Sequence, residues 1–160
     1  MRKVSLVAVI AVACVVVFGR TALAQSANPA VGTWKLNVAK SKYVAGTPNK
    51  SGTTQIEAAG AGVKVTVDSV GGDGTKRHWT YTANADGKDV PITGNNPYGD
   101  VVSMTRVDAN TTRQTYKKAG KVTTTQTSAV SADGKTRTVT NKGTDARGHS
   151  IDAVAIYERQ

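Results

Sequence analysis

Glycine-centred turns recur along this chain at an even pitch, and that rhythm constrains the fold more than any other feature. They are Gly60-Ala61-Gly62, Asp73-Gly74, Asp86-Gly87, Asp108-Ala109-Asn110, Ala119-Gly120, Asp133-Gly134 and Asp145-Ala146-Arg147-Gly148. An Asp-Gly pair suits the two-residue hairpin, because both central residues of a type I′ turn need φ > 0. Between turns the residues are rich in Val, Thr, Ile and Tyr, which fit a pleated, half-buried surface. Turns roughly 10 to 14 residues apart, with no helical stretch between them, mark an antiparallel all-β domain.

Alternation gives the strands their faces. In Val63-Lys64-Val65-Thr66-Val67-Asp68 the valines lie on one side and the polar residues on the other. Trp79 and Tyr81 share a face with Arg77, and both faces of Ile151-Asp152-Ala153-Val154-Ala155-Ile156-Tyr157 are partly apolar. The pattern predicts ten strands, at 31–37, 53–59, 62–70, 75–83, 88–92, 100–107, 111–118, 121–131, 135–142 and 149–158. Residues 38–52, with Pro48 and two glycines, read as the longest irregular link. Gly94-Asn95-Asn96-Pro97-Tyr98-Gly99 is a second break, within one domain. Consecutive hairpins leave two sheet edges unless the sheet closes, so the expected architecture is an up-and-down meander barrel of about 8–10 strands. A two-sheet sandwich would need longer crossovers than these links offer.

The start of the chain has another logic. Met1-Arg2-Lys3 is basic, residues 4–19 are almost wholly apolar, and Ala22-Leu23-Ala24 offers a small-x-small cleavage site. That is the layout of a secretory signal peptide over 1–24, which leaves one domain over 25–160 and places the protein in the periplasm or the medium. Cys14, the only cysteine, falls inside this segment. Lipidation there would need the apolar run to end at Cys14, whereas it continues through Val15-Val16-Val17-Phe18. Cleavage after Ala24 removes the thiol, and with it disulfides, thiolate metal sites and cysteine nucleophiles. Loss of Arg2, Lys3 and Arg20 takes the formal charge from +10 to about +7. The remaining cations are spread without a run, which argues for solubility and against nucleic acid as a partner.

Gly32-Thr33-Trp34-Lys35-Leu36 resembles the Gly-x-Trp opening of lipocalins and, more closely, the first strand of the intracellular fatty-acid-binding proteins. Ile156-Tyr157-Glu158-Arg159 is similar to the last strand of the latter, and Asp86-Gly87-Lys88 and Asp133-Gly134-Lys135 resemble their hairpin turns. The chain also resembles a group of small secreted bacterial proteins that open Gly-Thr-Trp-Lys-Leu-Asn, from which no function carries over. The resemblance implies a calycin-like barrel whose tryptophan plugs the closed end and whose last strand pairs with the first. There are two departures. Residues 38–52 are too short and too rich in Pro and Gly for the family's helical lid. The family's Arg-x-Tyr pair keeps its tyrosine as Tyr157, but Ala155 stands where the arginine would be.

Trp34 reads as the structural plug. A lumen would be lined by Trp79 and Tyr81, by Met104 and Arg106 from the sixth strand, by Tyr116, and by Tyr157. Arg106 is the nominee for an anionic headgroup, because a guanidinium presents several donors in a rigid fork. His78 and His149, the only histidines, lack the spacing of a metal site and read as surface residues. No nucleophile motif and no cofactor fingerprint appears, so neither catalysis nor a cofactor is expected. The Asp residues of the turns are explained by backbone needs. Thr123-Thr124-Thr125 and Thr136-Arg137-Thr138-Val139-Thr140 read as threonine ladders on exposed strand faces. The expected function is a monomeric barrel that holds a small hydrophobic or amphipathic molecule. The alternative is a solid barrel whose basic exterior binds an anionic envelope or extracellular polymer. The facing of Arg106 relative to Trp79 is the discriminating feature.

Overall fold

A computed structural model describes residues 28–160; the segment expected to be a signal peptide, with Cys14, lies outside the described residues. The strands are β1 (Gly32–Ala45), β2 (Asn49–Ala59), β3 (Gly62–Gly71), β4 (Lys76–Ala83), β5 (Asp86–Pro91), β6 (Thr93–Gly94), β7 (Val101–Arg106), β8 (Thr111–Lys118), β9 (Lys121–Val130), β10 (Thr136–Thr144) and β11 (Ser150–Arg159). Ten of them answer to the ten expected from the turn rhythm, and β6 is the addition. All pair antiparallel in one sheet of order β5-β7-β8-β9-β10-β11-β1-β2-β3-β4-β6. The two strands at the ends of that order are consecutive in the chain. The backbone from Asp86 to Gly94 starts on β7, with Val90 opposite Val102, and finishes on β4, with Thr93 opposite Thr80. One bent segment thus belongs to both edges and closes the sheet into a nearly complete barrel.

Gly94 makes the second docking possible. Its φ of +105° suits only glycine, and an added Cβ would collide with the carbonyl oxygen of His78. The break that follows folds over the seam. Asn96 Oδ1 accepts the amides of Tyr98 (2.7 Å) and Gly99 (3.1 Å), and the Tyr98 ring packs 5.2 Å from Tyr116.

The irregular link expected at 38–52 is only three residues long, 46–48. β1 runs on to Ala45 because of a wide bulge: Asn37 pairs with Ile156, yet the next pair is Lys42 with Val154. Local hydrogen bonds hold the looped-out residues. Asn37 Oδ1 accepts the Lys40 amide (3.0 Å), and Ser41 Oγ donates to the Asn37 carbonyl (2.7 Å) while accepting the Ile156 amide (3.0 Å). A bulge reverses the side-chain alternation beyond it. Tyr43 therefore turns inward opposite Ala153, and Val44 turns out to 84% exposure.

Candidate functional site

The barrel has one packed end and one open end. At the packed end Trp34 is fully buried and donates its indole N–H to the Ala30 carbonyl (2.8 Å). Arg159, from the last strand, lays its guanidinium 4.2 Å from the Trp34 ring centre. It also donates to the carbonyls of Gly134 (2.6 Å), Val31 (2.7 Å) and Pro29 (2.6 Å), tying down the segment that covers the ring. Ile56, Val63, Val65, Ala83, Val102, Met104 and Val130 fill the layers above. The plug and the pairing of last with first strand are as the resemblance implies.

Toward the other end the side chains stop meeting. They leave a cavity of about 200 Å³, an order of magnitude beyond the roughly 10–15 Å³ that one water needs. Val67, Val139, Ala153 and Ala155 supply apolar wall, but much of the lining is polar: Thr54, Ser69, Tyr81, Tyr116, Gln126, Arg137, Asn141 and Tyr157. The mouth is rimmed by the turns at 46–48, 72–75, 95–99 and 145–149. Two of these are joined by the Ala146 amide donating to the Pro97 carbonyl (2.8 Å).

Arg137 dominates the lumen. It is 5% exposed, and its Nε donates to Ser128 Oγ (2.7 Å). Its Cζ lies 5.5 Å from the ring centre of Tyr157, its neighbour across the β10–β11 ladder. No carboxylate pairs with it, and its two terminal nitrogens donate no hydrogen bond among the described residues. Burial pulls its pKa below the ordinary value, opposed by the nearby Tyr157, Tyr81 and Tyr116 oxygens; a guanidinium keeps its charge regardless. Burial also pushes the hydroxyls of Tyr81, Tyr116 and Tyr157 above their ordinary range, so all three remain protonated donors. Beyond them runs a relay of buried amides. Tyr116 Oη donates to Gln126 Oε1 (3.5 Å), Gln126 Nε2 to Gln114 Oε1 (3.4 Å), and Gln114 Nε2 to Thr112 Oγ1 (3.0 Å). A fixed cation ringed by hydroxyl donors and opening on an apolar wall can hold an anion attached to a hydrocarbon body.

At the rim, Asp145 shapes the β10–β11 turn. Burial alone would raise its pKa, but hydrogen bonds from the His149 ring (3.0 Å) and the amides of His149 (2.9 Å) and Arg147 (2.8 Å) bring it down to about 2. Arg77 lines the mouth and is held by Asp73 (3.3 Å).

Four of the six residues nominated from sequence, Trp79, Tyr81, Tyr116 and Tyr157, line this cavity. Met104 points inward but belongs to the packed core below it. Arg106 is corrected: it is exposed, and its Nη1 donates to the Ala109 carbonyl (3.2 Å). It shares the inward alternation of Val102 and Met104 but is the last residue of β7, past the closed end, where nothing encloses it. Its facing therefore does not discriminate between the two functional readings. His78 and His149 are exposed, beside Asp68 (2.7 Å) and Asp145. No cluster of three or more potential metal ligands occurs among the described residues.

The central residue, Arg137, lay in plain view within a threonine ladder. Thr136, Thr138 and Thr140 are only half-buried, on the outer side, as that reading holds; with a period of two, Arg137, Val139 and Asn141 must then face in. On β9 the same logic turns Thr124, Gln126 and Ser128 inward, correcting the exposed face expected for Thr124. The signal was the complement of the ladder.

No family model matches the chain, and no curated protein does. Among solved structures it is similar to the REP1-NXSQ fatty acid transporter, at 14% identity and a TM-score of 0.55 over 81% of this chain and 95% of that one. It also matches the redesigned β-barrel mFAP1 bound to DFHBI, at 11% identity and 0.49 over 82% and 95%. The first of these carries a likeness of fold.

Proposed function

We propose that this barrel is a non-catalytic carrier, secreted or periplasmic and monomeric, for a small amphipathic molecule with an anionic head. Arg137 carries the reading: it is a buried cation with free donors, no internal counter-charge and an adjoining cavity. A buried charge left unpaired is costly, and an incoming carboxylate relieves that cost while taking the guanidinium fork in two parallel hydrogen bonds. Tyr157, Tyr81 and Tyr116 surround the same head, and Trp79, Val67 and Val139 cover the hydrocarbon, whose burial contributes about 25 cal/mol per Å². The arginine that the fatty-acid-binding pattern carries on the last strand is supplied here by the neighbouring strand, directly across from Tyr157. The fold shared with a fatty acid transporter supports the reading.

The test is titration calorimetry of the mature protein with a long-chain fatty acid and with the alcohol of equal length. The acid is expected to bind one per chain and more tightly than the alcohol. Arg137→Met should weaken the acid by about 1.5–3 kcal/mol, the worth of a hydrogen bond to a charged group, and leave the alcohol unchanged. Equal affinities for acid and alcohol in the native protein would refute an anion-selecting lumen.

A further inference from the structure

Arg137 accounts for one end of the ligand, but the polar character of the cavity continues beyond it. Three lining side chains, each more than nine-tenths buried, carry a polar atom with no hydrogen-bond partner: Ser69 Oγ, Trp79 Nε1 and Asn141 Oδ1. Tyr43 Oη is a fourth, its approach to the Asn49 amide falling short of hydrogen-bond geometry. Only one further buried side-chain atom among the described residues is orphaned, Asn96 Nδ2 in the seam loop. Orphaned buried groups are rare and cost stability, so four on the wall of one cavity call for a cause.

Their positions give it. Asn141 lies four residues from Arg137 along β10, roughly 13 Å toward the mouth at strand rise. The ladder runs from Asn141 to Ala153 and on to Tyr43, so two of the polar groups flank the small side chain of Ala153. Ser69 and Trp79 stand on the opposite wall, on β3 and β4. Tyr43 is there only because the β1 bulge reversed its facing. These atoms lie beneath their neighbours. A side-chain rotation at Ser69 about χ1 would turn its hydroxyl toward a ligand in the lumen.

We infer that the mouth half of the cavity is a second subsite, one that recognises a hydroxyl on the body of the ligand. Resting on the anionic-amphipath reading, the natural ligand class is then a hydroxylated acid rather than a plain fatty acid. The atom types select the group. The indole N–H only donates, an amide oxygen only accepts, and the two hydroxyls do both. A keto, ester or ether oxygen would serve the donor and leave the Asn141 oxygen unpaired. An amine would bring a second cation into a lumen that already holds Arg137. A hydroxyl offers donor and acceptor at one atom. A plain alkyl chain would leave all four groups without partners, whereas a hydroxyl pairs those that turn toward it and so gains affinity over the plain chain.

The experiment measures one fatty acid, its monohydroxy isomers along the chain, and the keto analogue of the best isomer, by displacement of an environment-sensitive dye from the mature protein. At least one hydroxy isomer should bind about tenfold more tightly than the parent acid and more tightly than its keto analogue. The doubly substituted Ser69→Ala, Asn141→Leu protein should lose that preference while gaining affinity for the parent. Arg137→Met should weaken parent and isomer by the same factor. A parent acid that binds as well as every isomer would overturn the hydroxyl subsite, water then serving the four groups, and would leave the carrier reading standing. Failure of all the acids to bind would overturn both. The isomer scan uses the native chain and so decides the matter even if the double substitution fails to fold.

Discussion

The two arginines that meet aromatic rings in this barrel make opposite uses of the same chemistry. Arg159, at the packed end, covers Trp34 at 4.2 Å and satisfies three backbone carbonyls, so its fork is filled by the protein. Arg137, in the lumen, approaches Tyr157 at 5.5 Å and satisfies one serine. The first completes a structure, whereas the second is left incomplete by the structure. A guanidinium whose donors are used stabilises its surroundings; a buried one with spare donors and no counter-charge costs stability until something arrives to take them. On the proposed reading, the contrast puts stability at one end of the barrel and binding at the other.

The most severe way to break this comparison is at the plug. Trp34→Ala should cost about 3–5 kcal/mol of unfolding free energy, measured by urea denaturation, since it empties a fully buried aromatic site. Next come the two arginines themselves. Arg159→Met should destabilise by about 2 kcal/mol through the three lost hydrogen bonds and the lost ring contact. Arg137→Met should instead stabilise the ligand-free protein, by about 1 kcal/mol, as it removes a buried charge without a counter-ion. Equal and opposite results, with Arg137→Met destabilising and Arg159→Met harmless, would invert the division of labour. The smallest effect is at the rim. The Asp145 carboxyl titrates lower in the folded state than in the unfolded chain. Its contribution is therefore complete above the ordinary carboxylate pKa of 3.8 and fades as pH falls from there toward about 2. Asp145→Asn should remove about 1 kcal/mol at neutral pH, discounted for its place on the rim, and flatten the acid limb of a pH–stability curve over that window.

How much of this was legible beforehand follows from where side-chain alternation holds. Val63, Val65, Trp79 and Tyr81 sit on regular strands, and their inward facing could be read from the period of two. The same rule reveals Arg137 and Asn141 once the threonines between them are recognised as an outer face. It could not reveal Tyr43, whose direction depends on a bulge held by Asn37 and Ser41, side chains that look ordinary in sequence. Arg106 failed for another reason. Alternation gives a direction but not a depth, and the last residue of β7 has no barrel around it. The seam was hidden as well, because a two-residue strand such as Thr93–Gly94 carries no periodicity, and Gly94 signals only that a close approach occurs somewhere.

The mating of last strand with first has a consequence for how the molecule comes into being. Arg159 reaches the Val31 carbonyl across 128 positions of sequence, almost the length of the described chain. Hairpins such as β2–β3 or β9–β10 can form from local contacts as soon as their residues are available. The ring, however, is a circle with a single clasp, and its two halves are the first and the last of the described strands. Closing so long a loop is entropically demanding, and contacts of this range are formed slowly. Until residue 159 is free, Trp34 has no cover and the lumen has no walls on one side. A chain stopped a few residues short would keep its hairpins and lack its container.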